Sequence, residues 1–128
     1  MSKKWTLERY KKEVNKMIKI FINVWYPVEK SDDVGKKYLE VEKVFPFPPI
    51  IKPITPWETW ATKYGLKGAG IFEVEEDDFE KGINYFARRL TMYANDIEGY
   101  KFEIAASVTS KKARTLIGKE ISEFIIPE

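Results

Sequence analysis

One short stretch limits the fold of this chain more than any other. From Ile18 the apolar residues take a period of two, with Ile18, Ile20, Ile22 and Val24 on one side of a strand. Lys19, Phe21, Asn23 and Trp25 fall on the other side. Both sides are largely apolar, so the strand is expected in the middle of a sheet with cover on both faces. Pro27 ends it, because proline cannot donate to a ladder.

Before this strand, Leu7, Tyr10, Val14 and Met17 recur at helical spacing, which predicts an amphipathic helix over 5–17, an N-terminal extension of about 1–16. Thr6 is its candidate cap, and Arg9, Lys11, Lys12 and Lys16 make a solvated face. After the strand, Ser31, Asp32 and Asp33 signal a helix start, followed by Val34, Tyr38, Val41 and Phe45 at spacings of four, three and four. Pro46, Pro48, Pro49, Pro53 and Pro56 then crowd into eleven residues, a run expected to be extended and stiff. Trp57 to Tyr64 and Leu66 to Glu75 read as two strands joined by a tight turn at Gly65. Gly68 and Gly70 inside the second strand mark a bulge or a close backbone approach.

Asp77 and Glu80 form a capping-box pair, with Asp78 as the other candidate cap. They precede the clearest helix: Phe79, Ile83, Phe86, Leu90 and Tyr93 form its apolar stripe, and Arg88 and Arg89 are expected to be solvated. A fourth strand alternates Tyr100, Phe102, Ile104, Ala106 and Val108 against Lys101, Glu103, Ala105 and Ser107. The tail from Ser110 reads as a short helix through Leu116 and Ile117, then an apolar stretch from Ile121 to Ile126.

From Ile18 the order is strand, helix, strand, strand, helix, strand. That is the α+β, ferredoxin-like βαββαβ plan: a four-stranded antiparallel sheet with both helices on one face, in a single domain spanning 17–128. Phe21 and Trp25 would then lie on the opposite face, and the expected cover is a second copy of the sheet, giving a homodimer.

Composition narrows the chemistry. Among 128 residues, 22 basic and 20 acidic, there is no Cys and no His. Disulfides, thiolate or imidazole metal sites and imidazole bases are therefore excluded. The near balance of charge favours no polyanionic partner. No stretch is long and apolar enough to cross a membrane, no cleavable leader is recognisable, and the chain is read as cytoplasmic. Eighteen Lys, fourteen Ile and no Gln match the bias of proteins from hot environments.

The layout resembles the small dimeric α+β barrel proteins, a superfamily that includes uncharacterised families. The shared features are a first strand ending in an aromatic–proline pair (Trp25, Tyr26, Pro27), a helix, a proline-containing connection and a Trp-bearing strand (Trp57, Trp60). A glycine-rich strand running into acidic residues before the second helix follows, as in Gly68 to Asp78. The likeness covers about residues 17–117. It implies a homodimer and, in some relatives, cofactor-free monooxygenase, isomerase, haem-degrading or dye-decolorising activity. The haem-dependent branch uses a His ligand that this chain lacks.

Three motifs carry weaker chemistry. Lys67 to Val74 resembles the third-strand motif of RNA-recognition domains, and Ile20 to Asn23 loosely matches their first-strand motif. The base-stacking positions hold Ala69, Ile71 and Val74, which present no ring, and Glu73 and Glu75 to Asp78 would repel phosphates. The glycines fit no phosphate-loop spacing. The acidic run Glu75 to Asp78 suits a helix N-terminus better than a metal, because successive strand side chains alternate. No cofactor is expected.

The aromatic residues say more. Trp57 and Trp60 adjoin the proline segment and Trp25 ends the central strand, so aromatic walls for a small hydrophobic or aromatic ligand are expected among Asn23, Trp25, Trp57, Trp60 and Glu103, with Ser107 nearby. The expected pocket lies between sheet, helices and proline loop. The alternative is a cofactor-independent monooxygenase or isomerase, in which a buried Glu103 or a Tyr moves protons and Asn23 donates to an oxyanion. A third reading is a single-stranded RNA-binding module.

Overall fold

A computed structural model describes residues 17–107. The amphipathic helix expected near the N-terminus and the tail from Ser110 lie outside the described residues. Five strands and two helices follow in the order β1 (Met17–Tyr26), α1 (Ser31–Val44), β2 (Lys52–Pro53), β3 (Glu58–Thr62), β4 (Gly65–Glu75), α2 (Phe79–Asp96) and β5 (Lys101–Ser107). The fold is α+β, with one antiparallel sheet. No helix among the described residues is long and apolar enough to cross a membrane.

β1 is central, as its two-sided apolar pattern requires. It pairs antiparallel with β4 along its whole length, from Met17 opposite Glu75 to Tyr26 opposite Leu66. On its other flank it pairs with β5, from Lys19 opposite Ser107 to Trp25 opposite Lys101. The far edge of β4 is shared by two short strands: β2 pairs at Glu73 and Phe72, and β3 pairs from Ala69 to Gly65. The sheet thus has five strands where four were expected, because one edge position is split. The split has a physical origin in Pro53 and Pro56, which supply no N–H to a ladder and confine this stretch to an edge.

The proline segment is nevertheless anchored. Ile54 and Thr55 donate backbone N–H groups to the Ile71 carbonyl, at 2.8 and 3.4 Å, and the Ile71 N–H donates to Thr55 Oγ1 at 3.1 Å. Between the two edge strands the chain folds inward at Trp57. Its indole lies against the backbone of β4 at Gly68 and Gly70: a Cβ at Gly68 would stand 2.8 Å from Trp57 Cζ2, and one at Gly70 2.7 Å from Cε3. These glycines therefore mark a close approach, while the register to β1 runs past them without interruption. The turn between β3 and β4 is Lys63–Tyr64, one step before the expected position, and Gly65 opens β4 with a positive φ of 128°.

Both helices cover the face that carries Ile18, Ile20, Ile22 and Val24. The core joins these residues to Val41 of α1, Phe72 and Val74 of β4, and Tyr85, Phe86, Leu90 and Tyr93 of α2. Gly82 lets α2 settle close to the sheet, where a Cβ would come within 3.1 Å of Val74. α1 behaves differently. Only Lys37 and Val41 are buried along it, and it leans on α2 more than on the strands. The Lys37 ammonium donates to Asp96 near the end of α2 and to Glu40 at 3.4 Å, tying the two helices together. Its pKa is raised, chiefly by the Asp96 hydrogen bond.

The expected capping box does not form. The cap position of α2 is Asp78, with no side-chain cap hydrogen bond, because a 3-10 turn at Glu76–Asp78 leads straight into the helix. Likewise, α1 begins from a 3-10 turn at Val28–Lys30, and Ser31 Oγ donates back to the Val28 carbonyl at 2.7 Å. In both helices the continuous winding of the preceding turn takes the place of a side-chain cap.

Candidate functional site

The gap between α1 and the sheet is a cavity of ≈ 530 Å³. The sheet contributes Ile22, Val24 and Phe72 as its floor; Val34, Gly35 and Tyr38 of α1 roof it. Phe86, Leu90 and Tyr93 of α2 form one side, and Thr55, Pro56 and Trp57 of the proline segment form the other. Such a volume and such walls suit a small organic molecule. Tyr38 and Trp57 line the cavity yet are about half exposed, so it meets solvent between them.

Two unlike aromatic groups close its ends. At one end Phe72 packs on Phe86 at 4.9 Å between centroids, and Phe47 stacks on Phe72 at 5.4 Å. At the other, Tyr100 stacks between Tyr26 at 6.0 Å and Tyr93 at 5.2 Å. The register explains the separation: Phe72 pairs with Ile20, while Tyr26 lies six positions further along β1, about 20 Å at strand rise. One end is thus purely hydrocarbon, and the other carries hydroxyls.

Arg89 sits in the wall between them. It was expected to be solvated, but only 5% of it is exposed. Its guanidinium donates to the Phe45 carbonyl at 3.2 Å, to the Tyr85 hydroxyl at 3.0 Å and to Glu42 Oε1 at 2.6 Å, and lies 4.3 Å from the Phe47 ring centroid. A buried cation is tolerated because Glu42 balances its charge and several donors are satisfied. Burial works against that charge, but the hydrogen bonds that Arg89 donates to Glu42 and Tyr85 outweigh it and hold the pKa above the ordinary value.

Burial, above all, pushes the hydroxyl of Tyr100 well above the usual tyrosine range, with Tyr93 and Tyr26 adding to the shift. It also raises Tyr26 against an opposing hydrogen bond with Thr59, and Tyr93 against the nearby Arg89. These groups are neutral hydrogen donors at any ordinary pH.

Trp57 is the one expected site residue that lines the cavity. Asn23, Trp25, Trp60 and Glu103 lie on the opposite face, because strand side chains alternate and these residues share the outward register. There Asn23 Nδ2 donates to Glu103 Oε1 at 3.3 Å, and Glu103 is exposed, which removes it as a desolvated base. Trp60, Lys67, Trp25 and Lys101 form one row across four strands, with the Lys67 ammonium 5.2 Å from the Trp25 ring and 5.5 Å from that of Trp60. Lys52, Glu73, Lys19 and Ser107 form another. The face therefore mixes rings with charge. Ala69 and Ile71 also face outward, whereas Val74 is fully buried beneath the helices.

Sequence reasoning missed Gly35, Arg89 and the tyrosines. Two of these carried a signal: Arg89 falls three residues after Phe86 and four before Tyr93, on the apolar stripe itself, and Tyr26 is in phase with Ile22 and Val24. Comparison of the chain with protein-family models, curated proteins and solved structures returns no match.

Proposed function

We propose that the protein binds a small, largely apolar aromatic molecule in the cavity between α1, α2, the sheet and the proline segment. The observation that carries this reading is Gly35. It lies inside α1, where glycine costs about 1 kcal/mol relative to alanine. Its φ is not positive, so no backbone conformation calls for it. No packing calls for it either: a Cβ built there meets nothing within 4 Å. What lies in front of it is the cavity, and an occupant of that space explains the missing side chain.

The strand order, β4 between β1 and the split β2/β3 edge with β5 on the far side, supports the ferredoxin-like βαββαβ plan. In that plan the two helices and the sheet leave such a space when one helix stands off, as α1 does here.

The test uses N-phenyl-1-naphthylamine, an uncharged probe whose emission rises in apolar surroundings. The wild-type chain is expected to bind it saturably. Gly35→Phe should abolish binding while keeping the fold, and Gly35→Ala should keep binding and add about 1 kcal/mol of stability. Unchanged probe binding in a folded Gly35→Phe variant would refute the reading.

A further inference from the structure

The two ends of the cavity differ in chemistry, and that difference selects among aromatic ligands. The hydroxyl-bearing end is formed by Tyr26, Tyr93 and Tyr100, with Tyr38 nearby on α1. Tyr26 has Thr59 beside it and Tyr93 has Arg89. Tyr100 differs from both: it is 8% exposed, it lines the cavity, and its hydroxyl has no hydrogen bond to any other described residue. The hydroxyl is therefore open to the cavity, and a ligand seated there can supply the acceptor that the protein does not.

The acceptor's charge follows from Arg89. Its positive charge is already matched by Glu42 at 2.6 Å, and two of its donors are committed to Phe45 and Tyr85. The pair is close to neutral as seen from the cavity. A carboxylate entering here would lose its hydration and gain no uncompensated cation. A phenol or aryl ketone gives up far less hydration and still accepts from the Tyr100 hydroxyl. The opposite end, Phe47, Phe72 and Phe86, has only ring faces to offer and takes the hydrocarbon part of the ligand.

Resting on the cavity reading above, we infer that the ligand is a planar aromatic bearing an uncharged oxygen, a phenol or an aryl ketone, with that oxygen seated at the Tyr100 end. Tyr100 is then the orienting hydrogen-bond donor, and the Arg89–Glu42 pair is what excludes carboxylates.

The experiment compares naphthalene, 2-naphthol and 2-naphthoate on the full chain at neutral pH, read by quenching of tryptophan emission. The expected order is 2-naphthol tightest, and at least tenfold tighter than 2-naphthoate. Tyr100→Phe, which keeps the stacked ring, should weaken 2-naphthol about tenfold and leave naphthalene unchanged. The inference is overturned if 2-naphthoate binds as well as 2-naphthol, a comparison that needs no variant. It is also overturned if a folded Tyr100→Phe variant binds 2-naphthol as the wild type does. Equal binding of all three compounds would leave the cavity reading standing and remove this one, whereas no binding of any would remove both.

Discussion

The two faces of the sheet are built from the same strands, one residue out of phase, and they do opposite things. On the helix-covered face, Ile20, Ile22, Val24 and Val74 are all but inaccessible, and the ligand-sized space beside them is ringed by aromatic side chains. On the open face, Phe21, Trp25 and Trp60 are separated by Lys19, Lys67, Lys101, Glu73 and Glu103. The difference teaches that aromatic content does not locate a pocket. On the open face Trp25 and Trp60 sit in a flat array with Lys67 over both, and rings on the other face enclose space because α1 is held away from the floor.

Alkaline pH should produce the largest contrast, since it acts on one face as a set. Tyr26, Tyr85, Tyr93 and Tyr100 all belong to the helix-covered side, and burial raises each of their pKa values above the ordinary 10.0. Below that value both folded and unfolded chains keep these protons. Above it the unfolded chain releases them while the fold retains them, so stability falls as pH climbs past 10 toward the raised values. Circular dichroism against pH, with absorbance of the phenolate followed alongside, should show a flat plateau through pH 9. Cooperative unfolding should then coincide with a delayed burst of tyrosine ionisation. Four tyrosines titrating normally in a folded protein would break the comparison.

Next in size is a matched pair of truncations. Phe86→Ala removes a ring that is 2% exposed and should cost about 3–5 kcal/mol in urea unfolding, while Phe21→Ala on the open face should cost about 1 kcal/mol. Similar losses would mean that the open face is covered in solution.

Arg89→Leu should cost about 2 kcal/mol, less than a fully enclosed pair because the Glu42 side chain is one-third exposed. The double variant Arg89→Leu/Glu42→Leu should recover much of that, since no charge is left unmatched. A double variant weaker than the single would show that the pair is worth more than its desolvation. Smallest is Gly70→Ala, at about 1–2 kcal/mol, because its Cβ must displace the Trp57 indole. The accompanying change in tryptophan emission should vanish in a Trp57→Phe background.

How much of this was legible in the sequence depends on what each residue reports. The strand at Met17–Tyr26 and the helix at Phe79–Asp96 were readable because periods of two and 3.6 are properties of the chain itself. The glycines at 68 and 70 announced a close approach, but not that the indole of Trp57 would make it. Arg89 was assigned to solvent by its residue type, although its position placed it on the buried stripe. Gly35 gave a sign only in retrospect: a glycine mid-helix is uninformative until the space in front of it is known. The expected site residues failed to gather for a simpler reason. Asn23, Trp25, Trp60 and Glu103 do come together, on the outward register, while Trp57 reaches the other side through the break between β2 and β3.

That break has a mechanical consequence. Pro56 and Trp57 span two lengths of edge that are fastened separately to β4, the first held as far as Thr55, so the ladder on either side does not depend on where the Trp57 ring sits. Entry of the proposed ligand would then ask for movement of one indole on a stiff frame, with the rest of the sheet keeping its register.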